Sequence, residues 1–144
     1  MLDPAYQHLV VQLHFYATLF MTGLIWFVQV VHYPFLHYAE GNLDAARFHQ
    51  RRTGWVVIPV MVVELVTAVL LLGSSWIAQY GDYLFINLGL LLLTWAVTFL
   101  KMVPLHRRLL EHMDESTIQM IVATNWVRTI LWTVRSLVLM RFLG

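Results

Sequence analysis

From Leu9 to Val31 the chain carries no Asp, Glu, Lys or Arg. That run exceeds the ~20 residues an α-helix needs to cross a hydrocarbon core, and it restricts the possible folds more than any other feature. A cleaved signal peptide would place basic residues ahead of a shorter apolar core and small residues after it. Here Asp3 is the only charge ahead, and bulky Trp26, Phe27 and Gln29 follow, so the segment is expected to stay in the mature protein as a first span. The rest of the 144 residues has the same character. Hydrophobic residues make up 60%, charged residues 12%, and the mean hydropathy is +0.69, against roughly 45–50% and 25% in soluble domains. A single domain of this size buries only part of so much apolar surface, so the excess is expected to face lipid and a soluble globular protein is excluded.

Three further apolar stretches follow, at about 55–72, 84–102 and 118–140. The second ends at Gly73-Ser74-Ser75 and the third before Pro104, both helix-stopping signals. The expected fold is an all-α, integral membrane four-helix bundle, up-down-up-down, forming a single transmembrane domain over 1–144. Arg47, Arg51 and Arg52 precede the second span and Lys101, Arg107 and Arg108 follow the third, whereas Gly73 to Tyr83 has no Lys or Arg. By the positive-inside rule both termini face outward. Asn42-Leu43-Asp44 has the character of a cap on an amphipathic helix running into the second span, and Asp114 with Thr117 marks the start of the fourth. The cytoplasmic loops are therefore expected to contain short amphipathic helices. Trp55, Trp76, Tyr80 and Tyr83 suit interfacial aromatic belts.

Ionisable side chains at span centres cost on the order of 2.5–3.5 kcal/mol each on insertion scales, which singles out Glu64, Arg128 and Arg135. Glu64 lies nine positions beyond Trp55 and Arg128 ten beyond Ile118. With a rise of ~1.5 Å per residue, their depths nearly match and a Glu64–Arg128 pair is expected, either as a buried acid or base tuned by its partner or as an interhelical lock. Asn125, Arg128, Trp132 and Arg135 recur at spacings of three, four and three, one face of a helix. Corresponding stripes are Asn87, Thr94, Trp95, Thr98 and Lys101 on span three, Thr22, Trp26, Gln29 and His32 on span one, and His49, Arg52 and Glu64 around span two. Polar groups on every inner face exceed what packing of lipid-embedded helices requires, and a lined cavity is expected.

The chain has seven histidines. His32, His49 and His106 flank the cytoplasmic ends of spans one, two and three, and are expected to gather at that mouth with Arg52 and Asn125. Neutral imidazole ligates metals and haem, so the three are candidate metal ligands; interfacial hydrogen bonding is the alternative. His14, inside span one, is a candidate haem ligand, proton relay or packing residue, with Arg135 at its depth to hold a propionate or quinone oxygen. His8, His37 and His112 are expected to be interfacial or solvated. There are no cysteines, which excludes disulfides, thiolate zinc, iron–sulfur clusters and a cysteine nucleophile. The net charge of +1 gives no case for nucleic acid, and no GxGxxG, Walker or G-x-S-x-G motif occurs.

His14, Gly23-Leu24-Ile25-Trp26, His32-Tyr33-Pro34-Phe35-Leu36, Arg51-Arg52, Pro59 and Asn125 together resemble the small four-helix membrane proteins typified by bacterial membrane-bound protoporphyrinogen oxidase and the CopD-like families. The resemblance covers most of the chain. It implies a haem-associated redox protein of the bacterial inner membrane, with His14 matching the first-helix histidine. The lysine that the oxidase family carries near the start of its third helix is missing from Gln79 to Leu84, so what carries over is a small membrane redox or ligand-binding bundle.

These readings converge on a membrane oxidoreductase whose cavity accepts a hydrophobic substrate such as a quinone, porphyrin or lipid. Glu64, Asn125 and Arg128 are its candidate catalytic or orienting residues, His14, Arg52 and Arg135 would contact a cofactor, and His32, His49 and His106 would bind a metal. A non-catalytic lipid-binding or accessory subunit of a larger membrane complex is the competing expectation, a small proton-linked transporter the third. Lipid is the expected partner, with a homo-oligomer open and nucleic acid excluded.

Overall fold

A computed structural model describes residues 4–39 and 42–141. Helix α1 (Pro4–Phe27) runs through a π-helical turn (Val28–His32) into α2 (Tyr33–Phe35) and a 3₁₀ turn (Leu36–Ala39). α3 (Leu43–Leu72) follows, then α4 (Trp76–Val97), a second π-helical turn (Thr98–Met102), α5 (Val103–Glu111) and α6 (Glu115–Met140). No strand occurs among the described residues. The stretches Ala5–Tyr38, Leu43–Leu72 and Trp76–Glu111 are each long and apolar enough to cross a membrane. α6, the fourth expected span, has the length at 26 residues but falls outside this apolar group. Asn125, Arg128, Thr129, Arg135 and Ser136 interrupt its apolar run, and all five are buried against the other helices.

The expected caps are present. The Asn42 side chain accepts the Ala45 N–H at 3.0 Å and Asp114 accepts the Thr117 N–H at 2.7 Å, each satisfying an amide that has no partner in the first turn. α3 is one continuous helix, so the amphipathic segment and the second span are a single rod. Two expected boundaries move. The loop after α3 is only residues 73–75, where the Gln7 carboxamide oxygen accepts both the Ser75 N–H (3.0 Å) and its hydroxyl (2.7 Å), and α4 starts at Trp76 with a kink at Tyr80 (φ −126°, ψ 19°). Pro104 does not end the third span. It occupies the second position of α5, as Pro34 does in α2. Proline has no N–H and its ring crowds the carbonyl four residues back. The chain widens ahead of each one: the Tyr33 N–H donates to Val28 and the Val103 N–H to Thr98, five residues back. Such π-bulges change the direction of a helix without breaking it.

α1 packs on α3 and α6, and α4 packs on α6 and α3. Three apolar clusters lie between them. Val11, Phe15, Leu71, Leu84 and Leu139 form one; Met21, Ile25, Met61 and Trp132 the next; Val28, Tyr33, Met102, Leu109, Ile118 and Ile121 the third. The polar pattern is inverted relative to a water-soluble bundle. Gln7, His14, Gln29, Glu64, Asn87, Asn125, Arg128 and Arg135 are buried, while Phe20, Val66, Leu93, Phe99, Ile130 and Leu137 are exposed. Large contiguous apolar surface of this kind marks contact with something other than water.

Candidate functional site

The buried polar residues form two centres. The first is a set of interhelical hydrogen bonds beside the Met21–Trp132 cluster. Arg135 Nη1 donates to Glu64 Oε1 at 2.8 Å, and the Trp132 indole N–H sits 3.2 Å from both oxygens of that carboxylate. Glu64, Trp132 and Arg135 have no exposed surface. The expected pairing is therefore corrected: Glu64 pairs with Arg135, not Arg128. The error lay in the starting points. Measured from the observed helix starts, Glu64 is twenty-one residues beyond Leu43 and Arg135 twenty beyond Glu115, so these two share a depth.

His14 belongs to the same centre. Its Nδ1 lies 2.8 Å from the Thr67 hydroxyl and its Nε2 3.1 Å from the Asn87 side-chain oxygen. Thr67 gives its one hydroxyl proton to the Val63 carbonyl at 2.6 Å, so it accepts from His14 Nδ1–H. The Asn87 side-chain nitrogen is buried without a partner. Turning that amide end for end would place its N–H on Nε2, which suits a neutral imidazole. With both ring nitrogens engaged and Arg135 committed to Glu64, these residues do not fit a haem, and His14 and Arg135 are interhelical packing groups.

The second centre is a cavity of about 550 Å³ near the two π turns. His32, His49 and His106 all line it, together with Arg128, so the expected convergence of the three histidines occurs. A metal set does not follow: among the described residues no group of three or more His, Cys, Asp or Glu could hold an ion. The His32 and His49 rings stack, 3.5 Å between centroids and 19° between planes. Imidazole lone pairs lie in the ring plane, so stacked rings direct them side by side rather than at one point. His106 is occupied at both nitrogens, its Nδ1–H donating to the Met102 carbonyl at 2.8 Å and its Nε2 facing the Tyr33 hydroxyl at 3.3 Å. The remaining wall is largely apolar, with Leu36, Trp55, Val57, Ile58, Met102 and Leu109 contributing.

Asn125 and Arg52 stand apart from the cavity wall. Asn125 is fully buried; its amide donates to Gln29 Oε1 at 2.8 Å and its oxygen accepts from Arg128 Nη1 at 3.1 Å. It holds Arg128 in place rather than touching a ligand. Arg52 does not line the cavity; its guanidinium lies 5.2 Å from the Phe48 ring centre and 5.0 Å from that of Trp55. Trp26 and Lys101, assigned to inner stripes on spacing, are exposed. Trp26 donates to the Thr133 hydroxyl at 3.0 Å and meets Trp126 edge-on. Tyr33, Thr67 and Thr18, whose hydroxyl accepts from Arg135 Nη2 at 3.4 Å, are the site residues that spacing alone misses. Tyr33 sits inside the His-Tyr-Pro run, and the Pro34 signal that widens the preceding turn is what could have found it.

The chain matches no family model, and no curated protein or solved structure shows significant similarity to it.

Proposed function

We propose that this chain is an integral membrane protein of four spans, alternating in direction with both termini outward in a bacterial inner membrane, that binds a hydrophobic small molecule in the cavity beside the π turns. One observation carries the reading: a cavity of about 550 Å³ with an apolar wall receives one buried arginine and three histidines from separate helices. That volume falls in the ~300–1,000 Å³ range of small-molecule sites, and a few polar groups set in an apolar lining are what such sites use to orient a ligand. A quinone, a porphyrin fragment or a lipid has the required apolar body and polar end. α6 can sit in lipid because its arginines and asparagine face the interior, where Arg135 pairs with Glu64, Asn125 bonds to Gln29 and Arg128 borders the cavity.

Catalysis is the second reading, favoured by the Tyr33–His106 contact on the cavity wall. Hydroxyl and imidazole side by side form a proton-transfer pair, which a membrane oxidoreductase acting on a quinone-type head would need.

The test is a cavity-filling variant. At Gly54, on the cavity wall, an added Cβ meets only Ile58 Cδ1 at 3.8 Å, so Gly54→Leu fits the helix and occupies the cavity. Solvent extracts of the purified wild type, analysed by mass spectrometry, should contain a small molecule near one equivalent that the folded variant lacks. Extracts with no such molecule, or identical extracts from both proteins, would overturn the reading.

A further inference from the structure

Arg128 is 94% removed from solvent, with a relative exposure of 6%, yet it borders the cavity. Its Nη1 donates to Asn125 and the guanidinium also meets the Tyr33 side chain, both neutral partners, while its Nε is buried with no hydrogen-bond acceptor. The guanidinium carbon lies 5.2 Å from the centre of the Trp132 ring, which attracts a cation but does not neutralise it. Among the described residues no carboxylate stands within 4.0 Å of it. The contrast with Arg135 lies in the counter-ion: that residue, fully buried and likewise with an unpartnered Nε, has Glu64 at 2.8 Å. A buried ion without a counter-ion is strongly disfavoured, and Arg128 stays charged because an arginine does not give up its proton in a protein.

The cavity adds no negative charge of its own. Arg47, Arg51 and Arg128 lie on its wall with the three histidines, and no Asp or Glu does. Asp44, the partner of Arg47 at 3.4 Å, is an exposed residue outside it. Every formal charge on the wall is therefore positive, and Arg128 is the deeply buried one.

We propose that the cavity selects a single-chain amphiphile with an anionic oxygen head, a carboxylate or a phosphate monoester, whose oxygens pair with Arg128 while its chain lies against Trp55, Ile58 and Leu109. This rests on the ligand-binding reading above and adds to it the charge of the head. Planar guanidinium donors match carboxylate and phosphate oxygens with two parallel hydrogen bonds. Asn125 and Gln29 hold the guanidinium from behind through consecutive hydrogen bonds, so the donor is positioned before the ligand arrives.

The test is calorimetric titration of the full chain in amphipol with dodecanoate, dodecyl phosphate and dodecanol. At least one of the two anions should bind ten or more times as tightly as the alcohol, and whichever is tighter identifies the head. Arg128→Gln should remove the preference while dodecanol still binds, and Arg128→Lys should keep part of it. Equal affinity for all three would overturn the anionic-head proposal and leave the cavity as a neutral site. A preference that survives in Arg128→Gln would overturn it equally. Binding of none of the three by the wild type would sink the ligand-binding reading itself. The wild-type comparison stands without any variant, so a variant that fails to fold does not remove the test.

Discussion

Glu64 accepts hydrogen bonds from Arg135 and from the Trp132 indole in a place with no exposed surface. Replacing Glu64 with Gln would leave Arg135 as a buried charge without a counter-ion, an arrangement that costs about 3–5 kcal/mol when one member of a buried pair is removed. The Glu64→Gln protein should therefore unfold at a clearly lower temperature or denaturant concentration in detergent. The Glu64→Leu/Arg135→Met double variant should lose much less than the two single changes added together, because replacing both partners removes the uncompensated charge. Additive losses in the double-mutant cycle would mean the two side chains do not act as a pair. The sequence made the three ionisable residues visible by their cost in an apolar setting, but it could not choose between Arg128 and Arg135. That choice depends on where α3 and α6 begin, and α3 begins twelve residues before Trp55, the residue from which its depth had been counted.

Helix ends were more legible than helix partners. Asn42 and Asp114 are read as caps from residue type alone, since their short acceptors reach back to the free amides of the first turn. The turn before α6 also gives a pH dependence. Hydrogen bonds from the Ser116 hydroxyl, the Thr117 N–H and the Thr117 hydroxyl hold the Asp114 carboxyl down to about 2, from an ordinary value of 3.8. A depressed carboxyl adds stability that is present above 3.8 and lost as the pH falls towards 2. Thermal midpoints measured from pH 6 to pH 2 should drop across that window in the wild type. The drop should be smaller in Asp114→Ala, whose midpoint at pH 6 should itself be lower; curves of identical shape would show that the cap contributes nothing. Glu115 is depressed in the same direction, chiefly by His37, and leaves a residual slope in the variant. Pro104 is legible as punctuation but not as the sequel of a π turn, and Pro34 carries no such reading from the sequence. A proline states that one amide is missing, and only the packing of α1 against α6 and of α4 against α6 decides whether the helix ends there or widens and continues.

At the scale of the whole molecule, an apolar exterior is legible in the composition, and three of the four expected spans have the length and apolarity to cross a bilayer. The convergence of His32, His49 and His106 on one cavity was also legible, because all three flank spans on the same side of an up-down bundle. What residue spacing could not give was their orientation: stacking of His32 on His49 and the hydrogen bonds of His106 depend on rotation about each helix axis, which the two π turns alter. The cavity is the central claim, and its location can be read directly. A diazirine-bearing dodecanoate, bound to the protein in nanodiscs and irradiated, should cross-link to peptides containing Tyr33–Leu36, Gly54–Ile58 and Met102–Leu109, in an amount that excess unlabelled dodecanoate reduces. Labelling confined to outward residues such as Phe20, Val66 and Leu93, and unaffected by competitor, would show the probe in the surrounding lipid and contradict the account.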